Sequence, residues 1–346
     1  MEQLLQQKLE QMVEAGLPGA FIYIEEADKT THFYTAGFAD LVHCTPMTPD
    51  SHYRIGSHTK TFTAVVVLQL INESKLNLHG TMRDLVPDLA IPNAERLTIE
   101  HLLRMRSGLF DFEDDPSLLG DLDAHLRPYG SHEMVQLALQ HQALFLPGQQ
   151  FAYCNTNFCL LELIVERVTG HSLGTELQQR IFEPLAMSST SYPDENDLSL
   201  PTPYIRGYEY TGDAWRECSH SFFGRGDGAI ISTASDQARF FRALLGGVLL
   251  PEALLQQMMI VVPEPPHAPP ARFAYGLGLI AHATPCGTVW GHSGGGFGYI
   301  NYPFLQHETG RFAVCMLNGT FGFKTEDPLA ITRPRFTDEI RARIYC

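Results

Sequence analysis

At 346 residues the chain is long enough for one large domain or two closely packed ones. Hydrophobic residues make up 44% and charged residues 18%, a globular composition with ample material for a core. Basic residues number 24 and acidic ones 39, leaving a formal charge of −15 and no electrostatic reason to bind nucleic acid or anionic lipid.

No apolar run is long enough for a transmembrane helix. The first twenty residues lack the basic and continuously apolar segments of a signal peptide, so a cytoplasmic location is expected. The seven cysteines (44, 154, 159, 218, 286, 315 and 346) are odd in number and scattered, without a C-x-x-C. That pattern suggests neither a disulfide framework nor a zinc ribbon, and a reducing compartment fits it.

In chain order, Leu4, Leu5, Leu9, Met12 and Val13 predict an opening helix with one apolar face. Ala20–Glu25 and Thr31–Ala36 read as strands joined by a turn at Asp28-Lys29. Ser57–Ser74, rich in Val and Leu and free of Gly and Pro, reads as a largely buried helix. Further helices are expected at Thr98–Met105, Glu133–Gln140 and Asn155–Val168, the last capped by Thr169-Gly170. Loops lie at Asp111–Asp123 and Ser191–Pro203. After Gly226 strands return, interrupted by a helix over Ser235–Leu245 and a proline-rich loop over Pro263–Pro270. Tyr275–Ala281, Gly287–Trp290, Gly298–Pro303 and Phe312–Leu317 read as strands, and Phe336–Tyr345 as a closing helix. This order predicts an α+β fold: an antiparallel sheet flanked by N- and C-terminal helices, with an inserted helical domain. Residues 1–56 and 226–346 would form the sheet domain and 57–225 the mainly helical one, with the active site between them.

Three short segments could carry chemistry. In Ser57-His58-Thr59-Lys60 the serine and lysine share one helix face. A serine hydroxyl needs a base, and lysine serves as one only when burial or a neighbouring cation lowers its pKa. The helix N-terminus adds free N–H groups suited to an oxyanion. The competing reading is an exposed lysine in the first turn. In Tyr153-Cys154-Asn155 the phenol could relay protons if a cationic lysine stabilises its phenolate, and the amide could bind a substrate amide. Alternatively Tyr153 packs in the core and Asn155 caps the next helix. In WGHSGGGFGY, His292 could orient the tyrosine or bind a substrate carboxylate, while the glycines let a strand edge approach a substrate. The alternative is a glycine-rich turn with an incidental histidine.

Taken together and in this order, S-x-x-K, Y-x-N and H-x-G resemble the serine β-lactamase and penicillin-binding protein superfamily. The likeness is to its class C-like branch, with D-amino acid amidases, D-aminopeptidases and D-alanyl-D-alanine carboxypeptidases. Leu102–Phe112 (LLRMRSGLFDF) and Gly228–Phe240 (GAIISTASDQARF) are also similar to segments of that branch. The resemblance implies an acyl-enzyme on Ser57, with Lys60 and Tyr153 handling protons. It implies an oxyanion hole from the backbone N–H groups of Ser57 and Gly295, and amide binding by Asn155. His292 stands where many members have lysine, which argues against penicillin hydrolysis. Arg106 replaces a usual histidine. Glu113, in the acidic run 111–115, is the first choice for a substrate ammonium.

The expected activity is hydrolysis of D-amino acid amides or D-amino-acid-containing peptides. Carboxylesterase or acyltransferase activity is the alternative within the fold, and a non-catalytic penicillin-binding-like protein the alternative outside enzymes. The substrate would be a small molecule or short peptide, with no cofactor, metal, nucleic acid or membrane partner. Gly291–Gly295 also spells G-x-S-x-G, a nucleophile elbow around Ser293. That reading fails, because the elbow needs a following helix and then an acid and a histidine, and no acid stands between Ser293 and His307.

Overall fold

The opening helix, Glu2–Glu14, buries Leu5, Leu9 and Met12 and lies on the hairpin that follows, with Leu4 and Val13 half-buried at the edges of that face. That hairpin pairs Gly19–Glu25 with Thr31–Gly37. The computed structural model describes residues 2–119, 121–262, 274–321 and 332–346. The expected proline-rich loop at Pro263–Pro270 lies outside these residues.

All seven residues of Gly19–Glu25 are buried, because the strand lies between Thr31–Gly37 and Phe312–Leu317. The sheet continues through Tyr299–Gln306, Gly287–Gly291, Ile280–Thr284 and Ala274–Tyr275, every pair antiparallel. The short strand Gly294–Gly296 adds to Tyr299–Gln306. Helix Ala234–Leu245 packs on this sheet, capped by Thr233, whose hydroxyl accepts the Asp236 N–H. The closing helix Thr332–Tyr345 packs near Ile280–Thr284, and Tyr345 donates its hydroxyl to the Phe304 carbonyl at 2.6 Å. The fold class read from the sequence is the one found.

Helix Thr59–Asn72 is the centre of the helical region. It is apolar on nearly every side, as a helix surrounded by protein must be. It packs against Thr156–Thr169 and Leu173–Leu177. Helix Thr156–Thr169 ends at Gly170 in the left-handed conformation (φ 75°), where the sequence places its C-cap. The remaining expected helices occur as Ile99–Leu103 and Ser131–Ala138.

Four features differ from the sequence reading. The helix carrying Ser57 begins as a tight 3-10 turn, Gly56–His58, before Thr59. Tyr275–Ala281 is not one strand: Gly278 adopts a left-handed φ of 71°, and the chain reverses into Ala274–Tyr275 and Ile280–Thr284. The stretch 57–225 contains strands Tyr208–Tyr210 and Trp215–Glu217, which form a small sheet with Gly319–Phe321. Finally, Cys286 and Cys346 are disulfide-bonded, 60 residues apart in sequence. The bridge joins the turn after Ile280–Thr284 to the end of the closing helix, a proximity that only the tertiary fold creates. Among the described residues, no helix is long and apolar enough to cross a membrane.

Candidate active site

A two-stranded pairing of Tyr53–Arg54 with Ile231–Ser232 delivers the chain to the 3-10 turn, and Ile55 N–H donates to the Ile230 carbonyl at 3.1 Å. Gly56 then takes φ 56°, and a Cβ there would lie 2.8 Å from the Gly295 nitrogen. Glycine is therefore required for the turn to press against strand Gly294–Gly296. This approach sets the backbone of Ser57 beside that of Gly295. Ser57 is half-buried and Gly295 exposed, so the serine and the strand edge both face solvent. A first-turn N–H has no partner within its helix, which suits it to an oxyanion.

One turn on, Lys60 is completely buried. Its amine donates to Ser57 Oγ at 2.9 Å, Asn155 Oδ1 at 2.7 Å and the Asp227 carbonyl at 2.9 Å. It also lies 5.0 Å from the centre of the Tyr153 ring and 5.9 Å from that of Phe158. Burial lowers the lysine pKa, opposed by the charges of Asp227, Asp111 and Glu113. Once deprotonated, the amine keeps two N–H bonds to Asn155 and Asp227 and turns its lone pair to Ser57. That is the arrangement of a general base. The reading of Lys60 as an exposed first-turn lysine is excluded.

Asn155 occupies the N-cap position of Thr156–Thr169 without making a side-chain cap. Its Oδ1 accepts from Lys60, and its Nδ2 donates to Asp111 Oδ2 at 3.0 Å. Asp111 Oδ2 also accepts the Asn155 backbone N–H at 3.0 Å, so the carboxylate fixes which way the amide points. Burial pushes Asp111 up to about 6, against the N–H bonds from Asn155 and Glu113. Asp111→Ala would leave both Asn155 donors without their partner, at a cost of about 1–3 kcal/mol for each that stays unsatisfied. Urea unfolding should show the midpoint falling; an unchanged midpoint would contradict the role given to Asp111.

Tyr153 is half-buried and interacts with the Ser57 hydroxyl. Burial first, then the charges of Asp227, Asp111 and Glu113, raises its pKa well above that of a free phenol. The expectation of a lysine-stabilised phenolate is therefore corrected. Burial and the neighbouring acids keep the phenol protonated, a form suited to passing protons as a neutral donor and acceptor.

His292 is buried, with Nδ1 2.6 Å from the Ser293 carbonyl and Nε2 2.9 Å from the Tyr275 hydroxyl. The carbonyl requires a proton on Nδ1, so Nε2 accepts from Tyr275. Burial, and then the charge of Lys60, holds the imidazole neutral by pushing its pKa well down. The ring lies 6.2 Å from that of Tyr153. A neutral histidine with both nitrogens engaged does not act as a cation for a substrate carboxylate. Ser293 precedes strand Gly294–Gly296 rather than a helix, which removes the elbow reading structurally.

Glu113 follows Asp111 in the turn Phe112–Asp114, with its side chain open to solvent but flanked by protein. That crowding, then the charges of Asp111 and Asp227, pushes its carboxyl up to about 8, opposed by Lys60, so near neutral pH it is largely protonated until a cation arrives. Three residues the sequence did not single out complete the site: Gly56, Tyr275 and Asp227. Asp111 was visible only as part of an acidic run. Arg106 donates to the Val262 carbonyl at 3.1 Å, beside Arg104, which donates to Ile260 at 2.6 Å. Arg106 thus helps hold the chain after helix Glu252–Met259. Among the described residues, no group of three or more His, Cys, Asp and Glu side chains could hold a metal ion.

The profile of the family described as Beta-lactamase matches residues 2–332. D-aminopeptidase of Brucella anthropi is 28% identical over 291 residues, covering 80% of this chain and 51% of that protein. Protein flp of Staphylococcus aureus (strain N315) is 31% identical over 216 residues, covering 60% of this chain and 42% of that protein. The chain thus spans about half the length, or less, of these curated relatives. Among solved structures, a D-stereospecific amidohydrolase from Streptomyces sp. superposes with a TM-score of 0.83 at 30% identity, covering 93% of this chain and 95% of that one. D-amino acid amidase from Ochrobactrum anthropi SV3, complexed with L-phenylalanine amide, gives 0.84 at 26% identity and covers 99% of both chains. A match over almost the whole sequence, on the same fold, places this chain in the beta-lactamase family, a family of serine hydrolases.

Proposed function

We propose that this protein hydrolyses D-amino acid amides, or peptides containing D-amino acids, through an acyl-enzyme on Ser57. The observation that carries this reading is Lys60: buried, held by Asn155 and Asp227, and aimed at Ser57 Oγ. Neutral Lys60 takes the serine proton as Oγ bonds to the substrate carbonyl carbon. The N–H groups of Ser57 and Gly295 receive the developing oxyanion. The C–N bond then breaks, and the departing amine takes a proton by way of Tyr153. Water repeats the sequence on the ester, releasing the acid and restoring Ser57.

Two features support a substrate with a free amine and no carboxylate beside the scissile bond. Asp227 and Asp111 face a single buried lysine, and Glu113 can ionise beside a bound cation, so the site favours positive charge. His292 is neutral where a cation would grip a carboxylate. The preference for the D configuration rests on the likeness to the D-stereospecific amidohydrolase and D-amino acid amidase.

The test is a panel of D- and L-aminoacyl amides, D-Ala-D-Ala peptides, p-nitrophenyl esters and nitrocefin, with Ser57→Ala as blank. Turnover of D-aminoacyl amides with little of nitrocefin is expected. Fast nitrocefin turnover, or equal rates on D- and L-amides, would overturn the proposal. Glu113→Gln should raise KM for free-amino amides by up to about fivefold relative to their N-acetyl analogues, the loss of one partly solvated ion pair. An unchanged preference would remove Glu113 from substrate binding.

A further inference from the structure

Asp227 lies just before the family-like segment Gly228–Phe240 and is nearly as buried as Lys60, at 3% exposure. Its two ends do different things. Oδ1 accepts the Arg225 N–H at 2.8 Å and the Cys159 thiol at 3.2 Å. With Gly228 and Ala229 both donating to the Arg225 carbonyl at 2.9 Å, this closes a tight turn. The turn presents the Asp227 carbonyl to the Lys60 amine at 2.9 Å. Oδ2 lies 4.0 Å from the same amine. One residue therefore offers the lysine both a neutral acceptor and a buried negative charge.

We propose that Asp227 is a positioning residue for Lys60: it closes the turn that aims its own carbonyl at the amine, and its carboxylate sets when that amine is charged. The inference rests on the Ser57–Lys60 reading above. A buried lysine without a counter-charge would be neutral well below neutral pH, and an opposite charge at this range restores the ammonium. Other groups face the amine. Asp111, and Glu113 once ionised, add negative charge from the turn 111–114, and Cys159 lies on the helix behind it. Tyr153 flanks the amine, and His292 faces it from the strand side. Burial and nearby carboxylates keep Tyr153 and Cys159 protonated, and His292 is neutral, so the carboxylates are the charges that count. Asp227 is the foremost of them.

The experiment follows Lys60 directly. Protein labelled with 13C at the lysine ε-carbon has only five such signals, and Lys60→Arg assigns the relevant one. Asp227→Asn and Asp227→Ser remove the charge but keep an oxygen for the Arg225 N–H, while Asp227→Glu keeps the charge. The Lys60 titration is expected to move towards acid by on the order of one pH unit in the neutral variants and to return in Asp227→Glu. The fluorophosphonate labelling rate of Ser57, measured against pH, should show its acidic limb moving by the same amount. At a pH on that limb, labelling would be about tenfold faster than in the wild type. A folded neutral variant with an unmoved lysine titration would overturn the proposal. So would loss of folding in both neutral variants, which would make Asp227 a purely structural turn residue. Failure of wild-type Ser57 to label would instead sink the hydrolase reading, leaving the lysine titration to decide on Asp227.

Discussion

Ser57→Ala should lower kcat on the best amide by about four orders of magnitude or more, while the protein melts at or above the wild-type temperature. The two halves of this expectation have separate causes. Covalent catalysis through Oγ is lost, and the oxyanion donors alone leave only a small residual rate. The fold hardly depends on the hydroxyl. Ser57 is half-buried at the surface of a 3-10 turn, where alanine fits the same backbone. Lys60 keeps its bonds to Asn155 and Asp227, and water can reach the vacated position. Purified variant and wild type should be compared on the same amide, with calorimetry alongside. A loss below about tenfold would show that Ser57 is not the nucleophile; an equal loss with a collapsed melting temperature would show that folding, not chemistry, had been damaged.

Phe62→Ala should destabilise the protein by about 3–5 kcal/mol, the usual cost of emptying a fully buried aromatic site. Phe62 sits two residues beyond Lys60 on the same helix and is completely buried. Its ring stacks on Phe240 at 3.6 Å between centroids and meets His58 and Phe182 at 5.2 and 6.0 Å. These rings clamp helix Thr59–Asn72 to helix Ala234–Leu245, so the cavity opens between those two helices. A fall in kcat should accompany the lower denaturation midpoint, because a base displaced by even a fraction of an ångström loses its line to Ser57 Oγ. Denaturant unfolding and kinetics on the same preparation check both. A cost under about 1 kcal/mol would mean that the pocket refills around the smaller side chain.

Local features were legible in the sequence because local physics sets them. Apolar spacing marked the opening helix and the buried helix from Ser57, and aromatic and β-branched content marked strands at Ala20–Glu25 and Thr31–Ala36, found as Gly19–Glu25 and Thr31–Gly37. Where glycines fell inside an apolar run the reading failed. Tyr275–Ala281 looked like one strand because pattern alone does not reveal that Gly278 turns left-handed. The disulfide was equally hidden, since Cys286 and Cys346 meet only once the sheet edge and the closing helix are in place.

For the site, the sequence by itself determined the chemistry-bearing residue types and their order: Ser57 and Lys60 one turn apart, then Tyr153 and Asn155, then His292 and Gly295. Helical geometry alone brings the first two together. Only the tertiary structure decided the charge states. Lys60 is suited to act as a base because it is buried against Asn155 and Asp227, Tyr153 stays a phenol because of burial and then the acids around it, and His292 is neutral because of burial and then the charge of Lys60. Desolvation and the Coulomb field depend on neighbours that lie from about ten to more than a hundred residues away in sequence. No local pattern reports them, which is why Asp227, hydrogen-bonded to Lys60 across 167 residues, came to light only in the fold.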